Sequence, residues 1–318
     1  MYRWLMDLRN TLYDHKHLSI QTLQVPVISV GNLTTGGTGK TPFIDKLLKH
    51  FSEKYICGVA CRNYKASSSF SGLVGSEYRD PSIVGDEALL LADENPGSLI
   101  FSGASKTVSA THLQELGADL IFVDDGFQHR RLHRNCDIVL LDASVPVSHY
   151  RVLPWGHMRE GWKGLERADL IVLTKMQDAR PETYDFLIKK IPEFHRQQGH
   201  VFHARSILHN LPSKKEKVFL VAGIARPDSF FSKFQKDQIV GTHVFPDHYS
   251  YLQQDIMKLE ALAKKQGAQS IYVTEKDMVK IRSWLFSEES RRMWKSVVLN
   301  VEVDERKEFY EHLEFFLD

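Results

Sequence analysis

The sequence is short of three things, and each shortage narrows what the chain can be. It has no stretch near the roughly 20 consecutive apolar residues that a membrane-spanning helix needs, so a soluble chain, or one lying on a membrane surface, is expected. Its first residues, Met1-Tyr-Arg-Trp-Leu-Met-Asp-Leu-Arg-Asn, put charges where a signal peptide keeps its apolar core. Cysteine is scarce: Cys57, Cys61 and Cys136 are the only 3 in 318 residues. They cannot make a disulfide framework, and the C-x-x-x-C spacing of the first two has no second pair to complete a zinc site. A reducing cytoplasm is the expected home. Charge of one sign is also missing, with 41 Lys and Arg against 40 Asp and Glu. That balance argues against binding by bulk positive charge, so no nucleic-acid partner is expected.

What is present is a core-forming composition. Hydrophobic residues make up 42% of the chain, enough to exclude wholesale disorder. The length suits one large domain or two moderate ones. Continuous apolar runs at Val25–Val30, Ile56–Ala60, Leu120–Val123, Ile138–Leu141 and Leu170–Leu173 alternate with helical stretches such as Thr41–Phe51. Runs of this kind suggest parallel strands covered on both faces, which predicts an α/β fold of the doubly wound type, an α/β/α parallel sheet. The polar stretch Leu211-Pro-Ser-Lys-Lys-Glu-Lys marks a boundary. After it come strands at Val218–Ala222 and Ile271–Val273, with a helix around Tyr251–Gln266 between them. The expected organisation is therefore 1–210 and a smaller α/β domain at 211–318. At the N-terminus, Trp4, Leu5, Leu8 and Leu12 share one helical face. Such a helix either docks on the core or touches lipid.

The strongest motif is Gly31-Asn-Leu-Thr-Thr-Gly-Gly-Thr-Gly-Lys40-Thr41, set between a predicted strand and a predicted helix. Thr35, Gly36, Gly37, Thr38 and Gly39 can turn backbone N–H groups toward a phosphate, and the helix end behind them adds positive potential. Lys40 is placed to reach the β- and γ-phosphates and the Thr41 hydroxyl to ligate Mg²⁺, which implies a nucleoside triphosphate with Mg²⁺ on a phosphate-loop NTPase-like fold; the loop alone serves GTPases, ATPases and kinases alike. Thr34 stands where the usual pattern has a glycine. Asp124 and Asp125 close a predicted strand, where an acidic residue sits beside the phosphate loop and can hold the metal. Asp86 in Val84-Gly85-Asp86-Glu87 is either a helix cap or a carboxylate that orients an attacking hydroxyl. Phe127-Gln128-His129-Arg130-Arg131 is either a solvated loop or a surface facing bound phosphate.

Taken together, these segments resemble the tetraacyldisaccharide 4′-kinase family. The resemblance is carried by Val27–Pro42, Val84–Glu87, Asp124-Asp-Gly-Phe-Gln-His-Arg-Arg-Leu132, Leu153–Glu160, Arg167–Lys175, Phe245-Pro-Asp-His-Tyr-Ser-Tyr251 and Thr274-Glu-Lys-Asp277, in that order. It implies an ATP-dependent kinase that phosphorylates the 4′-hydroxyl of a tetraacyldisaccharide 1-phosphate, giving lipid IV-A in lipid A synthesis. It also implies roles. Lys40 and Asp86 are catalytic, with His248 paired to Asp86 from a second domain joined by a two-stranded linker. Asp124 and Asp125 work at the metal, and Glu87, Gln128, His129, Arg159 and Glu160 line the substrate and phosphate site. The partner would be a membrane lipid, reached by a monomer resting peripherally on the cytoplasmic face of the inner membrane through the N-terminal helix. Cys61-Arg-Asn-Tyr64, Ala88 and Trp155-Gly-His157 depart from the commoner family residues. A GTPase or metallochaperone-type NTPase is the alternative: Thr174-Lys175 follows a strand as a guanine-reading motif does, but Asp178 comes one place late.

Overall fold

The computed structural model describes residues 2–62, 70–75 and 78–317, and positions 63 and 64 of the Cys61–Tyr64 departure fall outside them. Its strands are β1 (Val27–Asn32), β2 (Cys57–Arg62), β3 (Gly72–Val74), β4 (Leu99–Gly103), β5 (Leu120–Asp124), β6 (Cys136–Asp142), β7 (Leu170–Thr174), β8 (Val201–His209), β9 (Val218–Ala222), β10 (Ile239–Val244), β11 (Ser270–Thr274) and β12 (Trp294–Val303). They form one ladder in the order β10-β9-β11-β12-β8-β7-β6-β1-β5-β2-β4-β3. From β8 to β4 every pairing is parallel, and so is every pairing from β10 to β12. The two parallel runs meet at the antiparallel pair β8 and β12, with Ala204 opposite Val303 and His209 opposite Val298.

The apolar runs became strands because they are buried on both faces: every residue of β1, β5, β6 and β7 is buried. The run at Val25 enters the ladder two residues late. Pro26 has no N–H for a ladder bond, and pairing begins at Val27, whose N–H donates to Asn135 Oδ1. Strands β3, β4, β8, β10 and β12 had not been expected. β8 and β12 carry His, Arg, Ser, Asn and Glu between their apolar residues, since beyond the main sheet they are only half-covered. β12 belongs to both runs, pairing with β11 through Trp294–Val297 and with β8 from Val298 onward.

Past β12 the chain turns back. The helix Arg306–Phe315 buries Phe309 and Leu313 in the same core as Phe43, Phe51 and Phe122. Phe309 meets Phe43 and Phe202 edge-on, with ring centroids 5.8 and 5.2 Å apart. Phe309→Ala therefore removes a fully buried ring shared by both ends of the chain and is expected to cost about 3–5 kcal/mol in urea unfolding. Phe315→Ala, on the exposed side of the same helix, should stay within about 0.5 kcal/mol.

Candidate active site

The C-terminal ends of β1, β5, β6 and β7 converge, as parallel neighbours must, and the glycine-rich segment leaves β1 at that edge. Gly39 takes φ 92 immediately before the helix Lys40–Phe51, a left-handed conformation that side chains resist. The loop is pinned from beneath. Asn32 Nδ2 donates to Thr38 Oγ1 at 2.9 Å, Thr174 Oγ1 donates to the Thr38 carbonyl at 3.0 Å, and Lys175 Nζ donates to the Gly37 carbonyl at 2.8 Å. In a peptide plane the C=O and the following N–H point opposite ways. Tying down the carbonyl of 38 therefore turns the N–H of Gly39 the other way, as a phosphate cradle requires, while the Thr38 N–H donates to the Gly36 carbonyl at 3.2 Å. Lys175 is itself held by Asp142 at 2.5 Å. The Thr174-Lys175 pair thus serves the loop, a role that its strand-end position signals but its sequence does not.

Asp124 and Asp125 follow at the end of β5 with different surroundings. Asp125 adopts φ 53, and Arg159 grips its carboxylate with both terminal nitrogens at 2.7 and 2.9 Å. Lys40 lies 3.4 Å from the same group. Burial resists the charge, but Lys40, Arg159 and Lys106 outweigh it and hold the carboxyl far below its usual range. Asp124 is buried, and its Oδ1 has no hydrogen-bond partner. Burial, with Glu87 and Asp125 adding repulsion against the pull of Lys40 and Lys106, raises its carboxyl to about 6. An orphaned carboxylate oxygen facing a phosphate loop fits a divalent cation, and the buried Thr41 opens the helix alongside.

Asp86 begins the helix Asp86–Glu94, after Gly85 at φ 90. The preceding turn is anchored by Ser102 Oγ donating to the Val84 carbonyl at 2.7 Å. His248 Nδ1 lies 3.1 Å from Asp86 Oδ2, across 162 residues of sequence. His248 also adopts a left-handed backbone, φ 62, which a non-glycine residue holds only under constraint from its surroundings. Burial opposes the Asp86 charge, but the His248 hydrogen bond and Lys276 win, and the carboxyl falls to about 2. The same bond raises His248 against the effect of burial. Glu87 pairs with Lys276.

The remaining predicted residues lie beneath and beside this centre. Glu160 is buried and accepts from Gln128 Nε2 at 2.9 Å, Arg167 at 2.8 Å and Asn10 at 3.1 Å. Gln128 also donates to the Asn32 carbonyl at 2.9 Å, so both residues brace the end of β1. His129 bonds to Thr107 at 2.8 Å, and burial followed by neighbouring cations lowers it to about 4. Thr35 donates its N–H to the His157 carbonyl at 2.7 Å, which brings the Leu153–Glu160 turn against the loop and leaves Trp155 83% exposed. Lys106 was missed as a site residue because a lone lysine carries no motif, and Lys175, Lys276 and Asp277 stood in segments that carry the resemblance without a role being given to them. Their signal is position, each at the end of a strand or the start of the helix that follows.

The N-terminal helix, Tyr2–Asp14, attaches through polar side chains and through Tyr13, which is buried with Arg9 and Arg130 5.3 and 5.2 Å from its ring centroid. Arg9 donates to the Gln128 carbonyl, Asn10 to Glu160, and Asp14 pairs with Arg130 at 2.7 Å. Trp4, Leu5 and Leu8 face outward, Trp4 at 66% exposure. Among the described residues no helix is long and apolar enough to cross a membrane.

A pinned glycine loop, a lysine and threonine at a helix start, an unpartnered strand-end carboxylate and a histidine-held aspartate together define a phosphate-loop phosphotransferase. The comparisons then specify which. The family model for LpxK, tetraacyldisaccharide-1-P 4′-kinase, matches residues 1–317, and the chain belongs to that family. Tetraacyldisaccharide 4′-kinase of Bdellovibrio bacteriovorus is 38% identical over 295 residues, covering 89% of this chain and 87% of the relative. That of Desulfotalea psychrophila is 34% identical over 308 residues, covering 89% and 86%. The crystal structure of LpxK from Aquifex aeolicus in complex with ATP superposes with a TM-score of 0.75 at 27% identity, covering 100% of this chain and 96% of that one.

The tie to Thr38 can be tested separately. Thr174→Val removes the hydroxyl with little change of shape and should weaken nucleoside triphosphate binding by about 1 kcal/mol, roughly fivefold, in equilibrium dialysis. Thr174→Ser keeps the donor and should stay within about twofold.

Proposed function

We infer that the protein is an ATP-dependent lipid A 4′-kinase, transferring the γ-phosphoryl group to the 4′-hydroxyl of tetraacyldisaccharide 1-phosphate. Family membership over the whole chain supports the reaction. The observation that carries the mechanism is the Asp86–His248 bond beside the phosphate loop. Phosphoryl transfer depends on positioning and charge neutralisation more than on a strong base. Asp86, ionised across the working range, orients the sugar hydroxyl and receives its proton late, while His248 fixes the carboxylate. Lys40 neutralises charge on the transferring phosphoryl oxygens once ATP draws it from Asp125. Thr41 and Asp124 would hold Mg²⁺, which when bound supplies charge compensation between the β- and γ-phosphates. Asp125 keeps Arg159 and Lys40 in place rather than binding metal itself. Gln128, Glu160 and the neutral His129 shape the floor, and Arg159 and Glu87 face the phosphate and sugar sides.

On this reading residues 1–210 and the unit that begins at 211 act as two bodies with β8 and β12 as the hinge, the helix Arg306–Phe315 moving with the first through its place in that core, and closure keeps His248 on Asp86. The chain works as a monomer. The N-terminal helix, docked through its polar side chains and Tyr13 with its apolar face outward, rests in the interface of the inner membrane's cytoplasmic leaflet, where the lipid substrate lies. The GTPase alternative is disfavoured, because Lys175 is occupied with Gly37 and Asp142.

Purified protein with labelled ATP, Mg²⁺ and the disaccharide lipid in detergent should pass label to lipid, and absence of transfer refutes the reading. Lys40→Ala and Asp86→Ala should each lower kcat at least about 100-fold, the latter with little change in KM for ATP. The pair also links stability to pH. Asp86, depressed, contributes fully above about pH 4 and loses its contribution as pH falls toward 2. His248, raised, contributes fully below about pH 6.5 and loses its contribution as pH rises through its folded value. The stability gap between parent and His248→Gln should therefore be larger at pH 6 than at pH 9 in denaturant unfolding.

The membrane contact has its own readout. Leu8→Glu, at an outward position, should reduce co-sedimentation with anionic phospholipid vesicles several-fold while leaving turnover on detergent-dispersed substrate near the parent rate.

A further inference from the structure

The segment Thr274-Glu-Lys-Asp277 has no part in the chemistry assigned above, yet two of its neighbouring side chains reach the two halves of the Asp86–His248 pair. Asp277 is fully buried. Its Oδ2 accepts from the Gly223 N–H at 3.0 Å and from Thr274 Oγ1 at 2.8 Å. Its Oδ1 accepts from the Tyr251 hydroxyl at 3.0 Å, with Lys280 also at 3.0 Å. Gly223 passes the constraint on, because its carbonyl accepts the N–H of His248 at 3.2 Å. A side chain at 223 would meet Tyr251 Oη at 2.9 Å and Asp277 Oδ1 at 3.0 Å, so only glycine allows this approach. The backbone that carries His248 is thus hung from Asp277 on one side and closed by Tyr251 on the other.

Lys276, the preceding residue, points the other way. It pairs with Glu87, next to Asp86 at the start of the helix Asp86–Glu94. Its charge also acts on Asp86 itself. One rigid helix start therefore holds the His248 loop through one residue and the Asp86 helix through the next. We propose that Lys276 is a positioning residue of the kinase, fixing the Glu87 end of the Asp86 helix in register with the His248 loop that Asp277 anchors. This rests on the reading of Asp86 as the group that orients the sugar hydroxyl.

The test is a double-mutant cycle on lipid 4′-phosphorylation. Lys276→Met should lower kcat about tenfold or more, with KM for ATP within about twofold and the unfolding midpoint close to the parent's. Lys276→Arg, which keeps the charge and reach toward Glu87, should recover most of the rate. In an Asp86→Ala background, Lys276→Met should add less than about twofold, because two residues acting through one interaction are not additive. If Lys276→Met costs the same factor in both backgrounds, or costs nothing in the parent, the proposal is overturned. A parent-like rate in Asp86→Ala alone would instead remove the role of Asp86, a failure distinct from that of Lys276. Should Lys276→Met fold poorly, the Arg variant and Glu87→Gln, which removes the partner's charge, complete the cycle from the other side.

Discussion

The structure is organised around the repulsion among carboxylates gathered at one edge of a parallel sheet. Asp86, Glu87, Asp124 and Asp125 are all at least partly withdrawn from water, where like charges interact strongly and desolvation penalises each. Cations from separate parts of the chain meet them: Lys40 and Arg159 at Asp125, Lys106 beneath the same pair, Lys276 at Glu87 and His248 at Asp86. Asp124 is left over, with an unpartnered oxygen and a carboxyl raised to about 6. Everything around it is compensated, so the residual demand for positive charge falls on one oxygen beside the phosphate loop. Such an oxygen would suit a divalent cation.

The same economy of contacts explains the N-terminal helix. An amphipathic helix on a soluble domain ordinarily buries its apolar stripe. Here Arg9, Asn10, Tyr13 and Asp14 make the attachment and Trp4, Leu5 and Leu8 stay outside. The polar contacts run directly to Gln128, Glu160 and Arg130, the residues that brace the end of β1. The outward apolar side chains and the floor of the phosphate site are therefore joined through one set of hydrogen bonds, so a change at the helix is felt at the end of β1.

Much of this was legible in the sequence, and the limits have physical causes. Strands buried on both faces announce themselves as apolar runs, so β1, β2, β5, β6, β7, β9 and β11 could be located to within a few residues. β8 and β12 could not, because half-covered strands mix polar and apolar residues, and the return of the helix Arg306–Phe315 to the first core depends on packing that no local pattern encodes. In the site, glycine-lysine-threonine spacing and paired aspartates are legible because backbone shape and charge dictate them. The roles of the supporting lysines are not, since Lys106 stands in no motif, and Lys175 and Lys276, though inside recognisable segments, take their roles only from the carbonyls and carboxylates they meet in space.

The Asp86–His248 bond shows what the ladder accomplishes. Its partners stand 162 residues apart, Asp86 at a helix start beside the main parallel run and His248 after β10 of the other, and the two runs are opposed in direction where β8 meets β12. Parallel runs joined this way need not present their active edges to one another, so contact between loops must come from specific ties. Ionic ties contribute, Lys276 to Glu87, Arg282 to Asp93 at 2.9 Å and His248 to Asp86. An apolar tie stands beside them, since Val279, on the same helix as Lys276, is buried in the core of Phe43, Leu89 and Phe122. Partly exposed ion pairs are individually weak, so the apolar contact supplies strength and the ion pairs supply register.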